Sequence, residues 1–206
     1  MGEAALEVGH DCLTRMDLSD AISALSKALD ESGSPAMLIG GIAVIARGVP
    51  RHTDDVDGTI AADGIDLEKL VLLLAKHGIQ PRVTDAIEFA RQHQVLLLVH
   101  TPSATEIELS LAWLPFEQEA LMRAERLDLG AVQARVATAE DLVIYKAVAW
   151  RERDKSDIEQ LIQLHHDKID FARVEQIIGE FAAALEEPER ITNFMALKNK
   201  AMATSD

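Results

Sequence analysis

Asp55-Val56-Asp57 sets two carboxylates one residue apart in a strand-like stretch of this chain. Strand side chains alternate between faces, so Asp55 and Asp57 share one side while Val56 points to the core. Carboxylates held side by side repel each other unless a cation or a shared proton neutralises them. A hard divalent metal with oxygen ligands is the natural neutraliser. Upstream, Gly40-Gly41 stands at a strand-to-helix turn, where backbone N–H groups can approach a phosphate. Together these residues point to metal-dependent chemistry on a nucleotide.

An acid–apolar–acid triplet also occurs as solvated charge on an exposed strand, so further residues must decide. Glu106-Ile107-Glu108 repeats the triplet later in the chain. If its strand lies beside Asp55–Ile60, one glutamate completes the three carboxylates that a two-metal phosphoryl-transfer site requires. The alternative is that these glutamates line a wet sheet face. Further on, Thr138 caps a helix that carries Asp141 in its first turn, a favourable dipole placement, and Lys146 two turns in. From there Lys146 could reach a triphosphate. Arg153 and Asp157, four residues apart, predict a surface ion pair.

The elements that must position these residues follow from hydrophobic periodicity. Leu18, Ile22, Leu25 and Leu29 share one face of a helix over 17–31, with Asp17 or Ser19 able to cap it. Residues 36–39 form a buried strand, 40–46 a short helix, 55–60 a strand and 66–77 a helix stopped by Gly78. Strands at 79–83, 94–100 and 106–113 follow, the first two joined by a polar link. Thr101-Pro102-Ser103 marks a hairpin turn between the last two. Helices are expected at 115–126, 138–150, 154–168 and 170–185, a strand near 132–136, and a last helix after Pro188 before a loose tail. Strands dominate the first two-thirds and helices the rest. The fold class is therefore α/β (α+β), a mixed sheet flanked by helices. Residues 1–137 form the α/β core, and 138–206 a C-terminal helical segment packed on it.

Composition sets outer limits. The chain has 206 residues, enough for a full core, with 48% hydrophobic and 27% charged residues. A net charge of −15 argues against passive binding to long nucleic acid, which needs a basic footprint. Arg47, Arg51, Arg82, Arg91 and Lys146 could supply such a patch only if the fold gathers them. The single Cys12 leaves no intramolecular disulfide and reads as a plain buried thiol, consistent with the cytoplasm. Met1–Asp11 carries three acids and lacks the pattern of a signal peptide, and apolar runs such as Val95–Val99 are too short to span a bilayer. His52, His77, His93 and His100 show no metal-ligand spacing, and His165-His166 reads as surface or partner-facing.

Assembled in order, these residues resemble the minimal nucleotidyltransferase superfamily, and within it the bacterial toxin-type, AbiEii-like branch. The resemblance rests on Ile39-Gly40-Gly41, Arg51-His52-Thr53-Asp54-Asp55-Val56-Asp57, Ile107-Glu108-Leu109 and Leu114-Pro115-Phe116-Glu117. Glu140–Lys146 and Arg151–Ile158 complete it, and it covers roughly residues 18–165. The third acid, usually aspartate in that family, is Glu108 here. The resemblance implies a nucleotidyltransferase fold and the transfer of a nucleoside monophosphate from an NTP to an acceptor hydroxyl, with release of pyrophosphate. It implies two Mg2+ ions held by Asp55, Asp57 and Glu108, which are also the catalytic residues. It implies nucleotide binding by Gly40, Gly41, Thr53, Lys146 and Asp157. Implied partners are the NTP, an acceptor that is RNA, protein or small molecule, and an antitoxin protein. The rival reading is a nucleotidyltransferase-like module that binds NTP or a partner without turnover.

Overall fold

The fold was analysed in a computed structural model that describes residues 16–130 and 132–204. Cys12 and Met1–Asp11 lie outside the described residues. The chain divides into two compact units. The first comprises the residues up to Ala46 together with Pro50–Ala137, and the second comprises Arg47–Val49 with the residues from Thr138 onward.

The first unit is built on a seven-stranded mixed sheet: β1 (Ala36–Ile39), β2 (Val56–Ala61), β3 (Ile79–Pro81), β4 (Val95–His100), β5 (Thr105–Ala112), β6 (Glu125–Asp128) and β7 (Gln133–Val136). The strand order is β3-β4-β5-β2-β1-β7-β6. β2 pairs parallel with β5 and β1 parallel with β7, while the remaining neighbours are antiparallel. Helices α1 (Met16–Ser32), α2 (Gly40–Ala46), α3 (Leu67–Lys76), α4 (Ala86–His93) and α5 (Pro115–Arg123) complete it.

Local chemistry explains most of these bounds. Leu18, Ile22, Leu25 and Leu29 of α1 are all buried, as the helical period requires. β5 alternates Ile107 and Leu109, fully buried, with exposed Glu106 and Glu108. The Asp66 carboxylate accepts from Lys69 N at the start of α3. Leu114-Pro115-Phe116-Glu117 is a helix start. Pro115 needs no donor there, and Glu117 Oε2 accepts from the N–H groups of Trp113 and Leu114, both at 3.0 Å.

Two elements depart from the expectations. The polar link between the strands at 79–83 and 94–100 is helix α4, which fully buries only Ala86 and Ala90. The C-terminal end of the helix expected at 115–126 is instead strand β6, a Glu-Arg-Leu-Asp stretch paired on one side with β7. Charged residues on a sheet edge discourage further pairing, and in sequence they look like helix.

His100 closes β4 and is buried, its Nδ1 2.7 Å from Ser103 Oγ. Burial lowers its pKa, opposed by the nearby Asp20. The folded state thus keeps this ring neutral at pH values where the unfolded chain, near 6.5, takes up a proton. Below that pH the unfolded state binds more protons, so stability falls as pH drops from about 6.5 and levels off below the lowered folded value. His100→Asn is expected to shrink this loss. Urea unfolding at pH 7.5 and 5.5 checks it, and an unchanged difference between the two pH values would count against it.

The second unit contains α6 (Ala139–Ala149), α7 (Glu152–His165), a short 3-10 turn (His166–Lys168), α8 (Phe171–Ala184) and α9 (Glu189–Ala203). Leu142, Ile144, Ile158, Leu161, Ile162, Val174, Ile178 and Phe194 are fully buried in it. Arg47–Val49 joins this unit because Arg47 O lies 2.7 Å from His165 Nε2. His165 is therefore half-buried in an internal contact, while its neighbour His166 is exposed. Thr138 caps α6 by accepting from Asp141 N, and Asp170 caps α8 by accepting from Ala172 N and Arg173 N. Among the described residues, no helix is long and apolar enough to cross a membrane.

Candidate active site

The end of β1 and the start of β2 build the centre of the site. Ile39 pairs with Asp57 in antiparallel register, and the chain turns at Gly40 into α2. Gly40 has φ +62°, a conformation that side chains resist, and a Cβ added there would fall inside the Asp57 carboxylate. A Cβ on Gly41 would lie 2.5 Å from Thr53 Oγ1, with Arg51 Nη2 at 3.3 Å. The two glycines therefore form a floor on which Asp57 and Thr53 rest. Thr53 is buried and donates to Asp55 Oδ1 at 2.5 Å, so the hydroxyl orients the other aspartate. Asp55 and Asp57 are half-buried, with Val56 between them fully buried.

Gly40→Ala is expected to destabilise the first unit by a few kcal/mol. The left-handed backbone alone costs an alanine about 1–2 kcal/mol, and the Asp57 carboxylate must also move. Chemical denaturation reads this directly, and a variant as stable as the parent would show that Asp57 does not need the glycine.

The parallel pairing of β2 with β5 sets Glu108 opposite Asp57, and Ile107 opposite Val56. Glu108 thus stands at the level of Asp57, about one strand spacing (~4.8 Å) across the sheet, while Asp55 precedes the first residue of β2. Among the described residues, no three acids, histidines or cysteines are gathered as a finished metal cage. Glu108 Oε1 instead accepts from Arg82 Nη2 at 3.3 Å, and the same nitrogen lies 3.4 Å from Glu106 Oε2. Asp55, Asp57 and Glu108 offer only hard oxygen donors, and Asp57 is already seated by the Gly40 floor. This donor set suits a magnesium-type ion and not a thiophilic metal.

The residues singled out beyond Ala137 sit in the second unit, in two buried ionic clusters. Lys146 Nζ lies 3.0 Å from Asp154 Oδ1 and 3.0 Å from Asp157 Oδ2, all three side chains being nearly inaccessible. Asp154 Oδ2 also accepts from Arg151 N at the start of α7. The surface ion pair expected between Arg153 and Asp157 is thereby corrected. Asp157 faces inward to Lys146, because the apolar side of α7 that carries Ile158 and Leu161 carries Asp157 with it, while Arg153 is exposed. In the second cluster Arg173 Nη1 bridges Glu140 Oε1 at 2.8 Å and Asp141 Oδ1 at 2.9 Å, and Thr138 donates to Asp141 Oδ2.

From sequence, Arg82 was weighed only as part of a basic patch, and Asp154 and Arg173 were given no role. Asp154 carried a signal only as the aspartate of the Arg151–Ile158 motif. Arg82 and Arg173 carried none, since their partners lie far along the chain. The basic residues weighed as a nucleic-acid patch are largely matched by acids: Arg82 by Glu106 and Glu108, Arg91 by Glu68 and Glu88, and Lys146 by Asp154 and Asp157.

This architecture is shared with the antibiotic-resistance factor ANT(2'')-Ia. A solution structure of that factor, which reveals substrate-regulated conformation dynamics, matches with 15% identity over 98% of this chain and 100% of the other, at a TM-score of 0.51. A crystal structure of ANT(2'')-Ia in complex with adenylyl-2''-tobramycin matches with 18% identity over 80% of this chain and 97% of the other, at 0.54. At such identity the likeness is one of fold. No curated protein matches the chain in sequence. One family profile matches residues 14–203, nearly the entire length, and the protein belongs to that family, described as a nucleotidyltransferase of unknown function (DUF6036).

Proposed function

We propose that the protein transfers a nucleoside monophosphate from an NTP to the hydroxyl of an acceptor, with Asp55, Asp57 and Glu108 as the acids of the site. The observation that carries this reading is the seating of Asp57 over Gly40 with Glu108 opposite it on the parallel neighbour. Asp55, Asp57 and Glu108 would hold two Mg2+ ions, which when bound supply charge neutralisation at the phosphates and lower the pKa of the attacking hydroxyl. The acceptor oxygen bonds to the α-phosphorus as the bond to the bridging oxygen breaks, and pyrophosphate leaves. Glu108 takes the acceptor's proton. Gly40 and Gly41 hold the triphosphate through backbone amides, and Thr53 keeps Asp55 oriented. The nucleotide-binding roles of Lys146 and Asp157 rest on the motif resemblance alone; within the second unit Lys146 is paired with Asp154 and Asp157.

A small cationic acceptor is favoured over RNA. The net charge is −15, and Arg82 beside Glu108 is already matched by two glutamates. An aminoglycoside-type compound has the needed chemistry, and the fold likeness to ANT(2'')-Ia agrees with that choice. The AbiEii-like assignment, with an RNA or protein acceptor and an antitoxin partner, rests on the motifs alone and is the second acceptor reading.

The non-catalytic reading, a module that binds NTP without turnover, draws on the pairing of Glu108 with Arg82. Incubation with each labelled NTP, Mg2+, and in turn an aminoglycoside set, total tRNA and cell lysate separates these. Transfer to an aminoglycoside, lost in Asp57→Ala, is the expected result. NTP binding with no transfer to any acceptor establishes the module instead.

A further inference from the structure

Arg82 is placed by backbone as much as by charge. Its N–H donates to Leu97 O at 3.0 Å, continuing the β3–β4 ladder, and Leu97 is the residue of β4 directly opposite Glu108. The guanidinium is thus delivered to the face of the sheet that carries Glu106 and Glu108, two residues apart on β5. A single nitrogen, Nη2, lies 3.3 Å from Glu108 and 3.4 Å from Glu106. The Arg82 side chain is about 29% exposed, and those of both glutamates are more than half exposed. Ion pairs with wet partners are weak, and two nearly equal distances leave the guanidinium free to settle on either acid.

We propose that Arg82 is a positioning residue that holds Glu108 away from Asp55 and Asp57 until metal binds, with Glu106 serving as its alternative partner. This rests on the reading of Asp55, Asp57 and Glu108 as the metal-holding set. In the metal-free protein Arg82 neutralises the third carboxylate, so Asp57 does not face an unmatched charge across one strand spacing. On loading, Glu108 changes partner and Arg82 stays on Glu106, so its charge never lacks a counter-ion. Glu106 therefore lowers the cost of the exchange, even though it never joins the site.

The test is Mn2+ titration of the full chain, followed by electron paramagnetic resonance, with circular dichroism to confirm that each variant is folded. Arg82→Gln removes the competitor and is expected to tighten Mn2+ binding roughly two- to five-fold. Glu106→Gln removes the alternative partner and is expected to weaken it by a similar factor. In the double variant Glu106→Gln should have no further effect, leaving the affinity of Arg82→Gln alone. Simple long-range charge effects predict additive changes instead, and additivity, or an Arg82→Gln variant that binds no tighter, overturns the exchange. Asp57→Asn separates the two levels of the reading. Mn2+ binding that depends on Asp57 but ignores Arg82 sinks only this proposal. Binding that is absent, or indifferent to Asp57, sinks the proposal together with the metal site beneath it.

Discussion

Asp57→Asn is expected to lower nucleotidyl transfer on the order of 10³-fold while leaving the protein as stable as the parent, or slightly more so. The activity estimate follows from what a metal contributes at a transferring phosphoryl group, several kcal/mol of charge stabilisation. Each 1.36 kcal/mol is a factor of ten in rate. The stability expectation has the opposite sign because, without metal, Asp57 is a half-buried carboxylate two residues from Asp55. Asparagine keeps the shape that rests on Gly40 and removes one of the mutually repelling charges. Label transfer and metal-free thermal unfolding on the same preparation test both halves. A variant that loses activity only because it unfolds would show that Asp57 acts as a structural residue.

Lys146→Met should have the largest effect on stability. It leaves Asp154 and Asp157 buried with their main counter-charge gone, and removing one partner of a buried ionic group costs about 3–5 kcal/mol. For a chain of this size that corresponds to a fall of roughly 6–20 °C in melting temperature. Replacing all three residues together, Lys146→Met with Asp154→Asn and Asp157→Asn, should recover much of the loss, because no uncompensated charge then remains. The triple variant also addresses the nucleotide-binding role. If Lys146 contributes to phosphate binding, the restored fold will still bind NTP more weakly than the parent. If NTP affinity returns with stability, the lysine serves only to tie α6 to α7.

Much of the scaffold was legible because its signals are local. The period of α1, the alternation of β5, the Thr138 cap and the Pro115–Glu117 helix start are each set by residues within a few positions of one another. α4 and β6 were not, for the same reason in reverse. α4 is only eight residues long and fully buries only two alanines, so its apolar side is a weak signal, and β6 is a charged stretch that is a strand only because β7 pairs with it. The Arg153–Asp157 spacing misled similarly. An i, i+4 pair is a surface feature only when that side of the helix faces water, and here Asp157 lies on the buried side.

The sequence by itself supplied the candidate groups: two aspartates one residue apart, a glycine pair of which Gly40 takes a positive φ, and a later glutamate flanked by apolar residues. The order of those motifs also pointed to a nucleotidyltransferase, which the family match bears out, while the AbiEii-like branch is not shown by it. Only the tertiary structure decided that Glu108 stands opposite Asp57, because strand register is set by pairing between distant segments and a slip of one residue would turn Glu108 into the core. Only the tertiary structure brought Arg82 onto that glutamate and enclosed Lys146 between two aspartates. Charge pairing of this kind depends on through-space distance and burial, and neither is written in the spacing of residues along the chain.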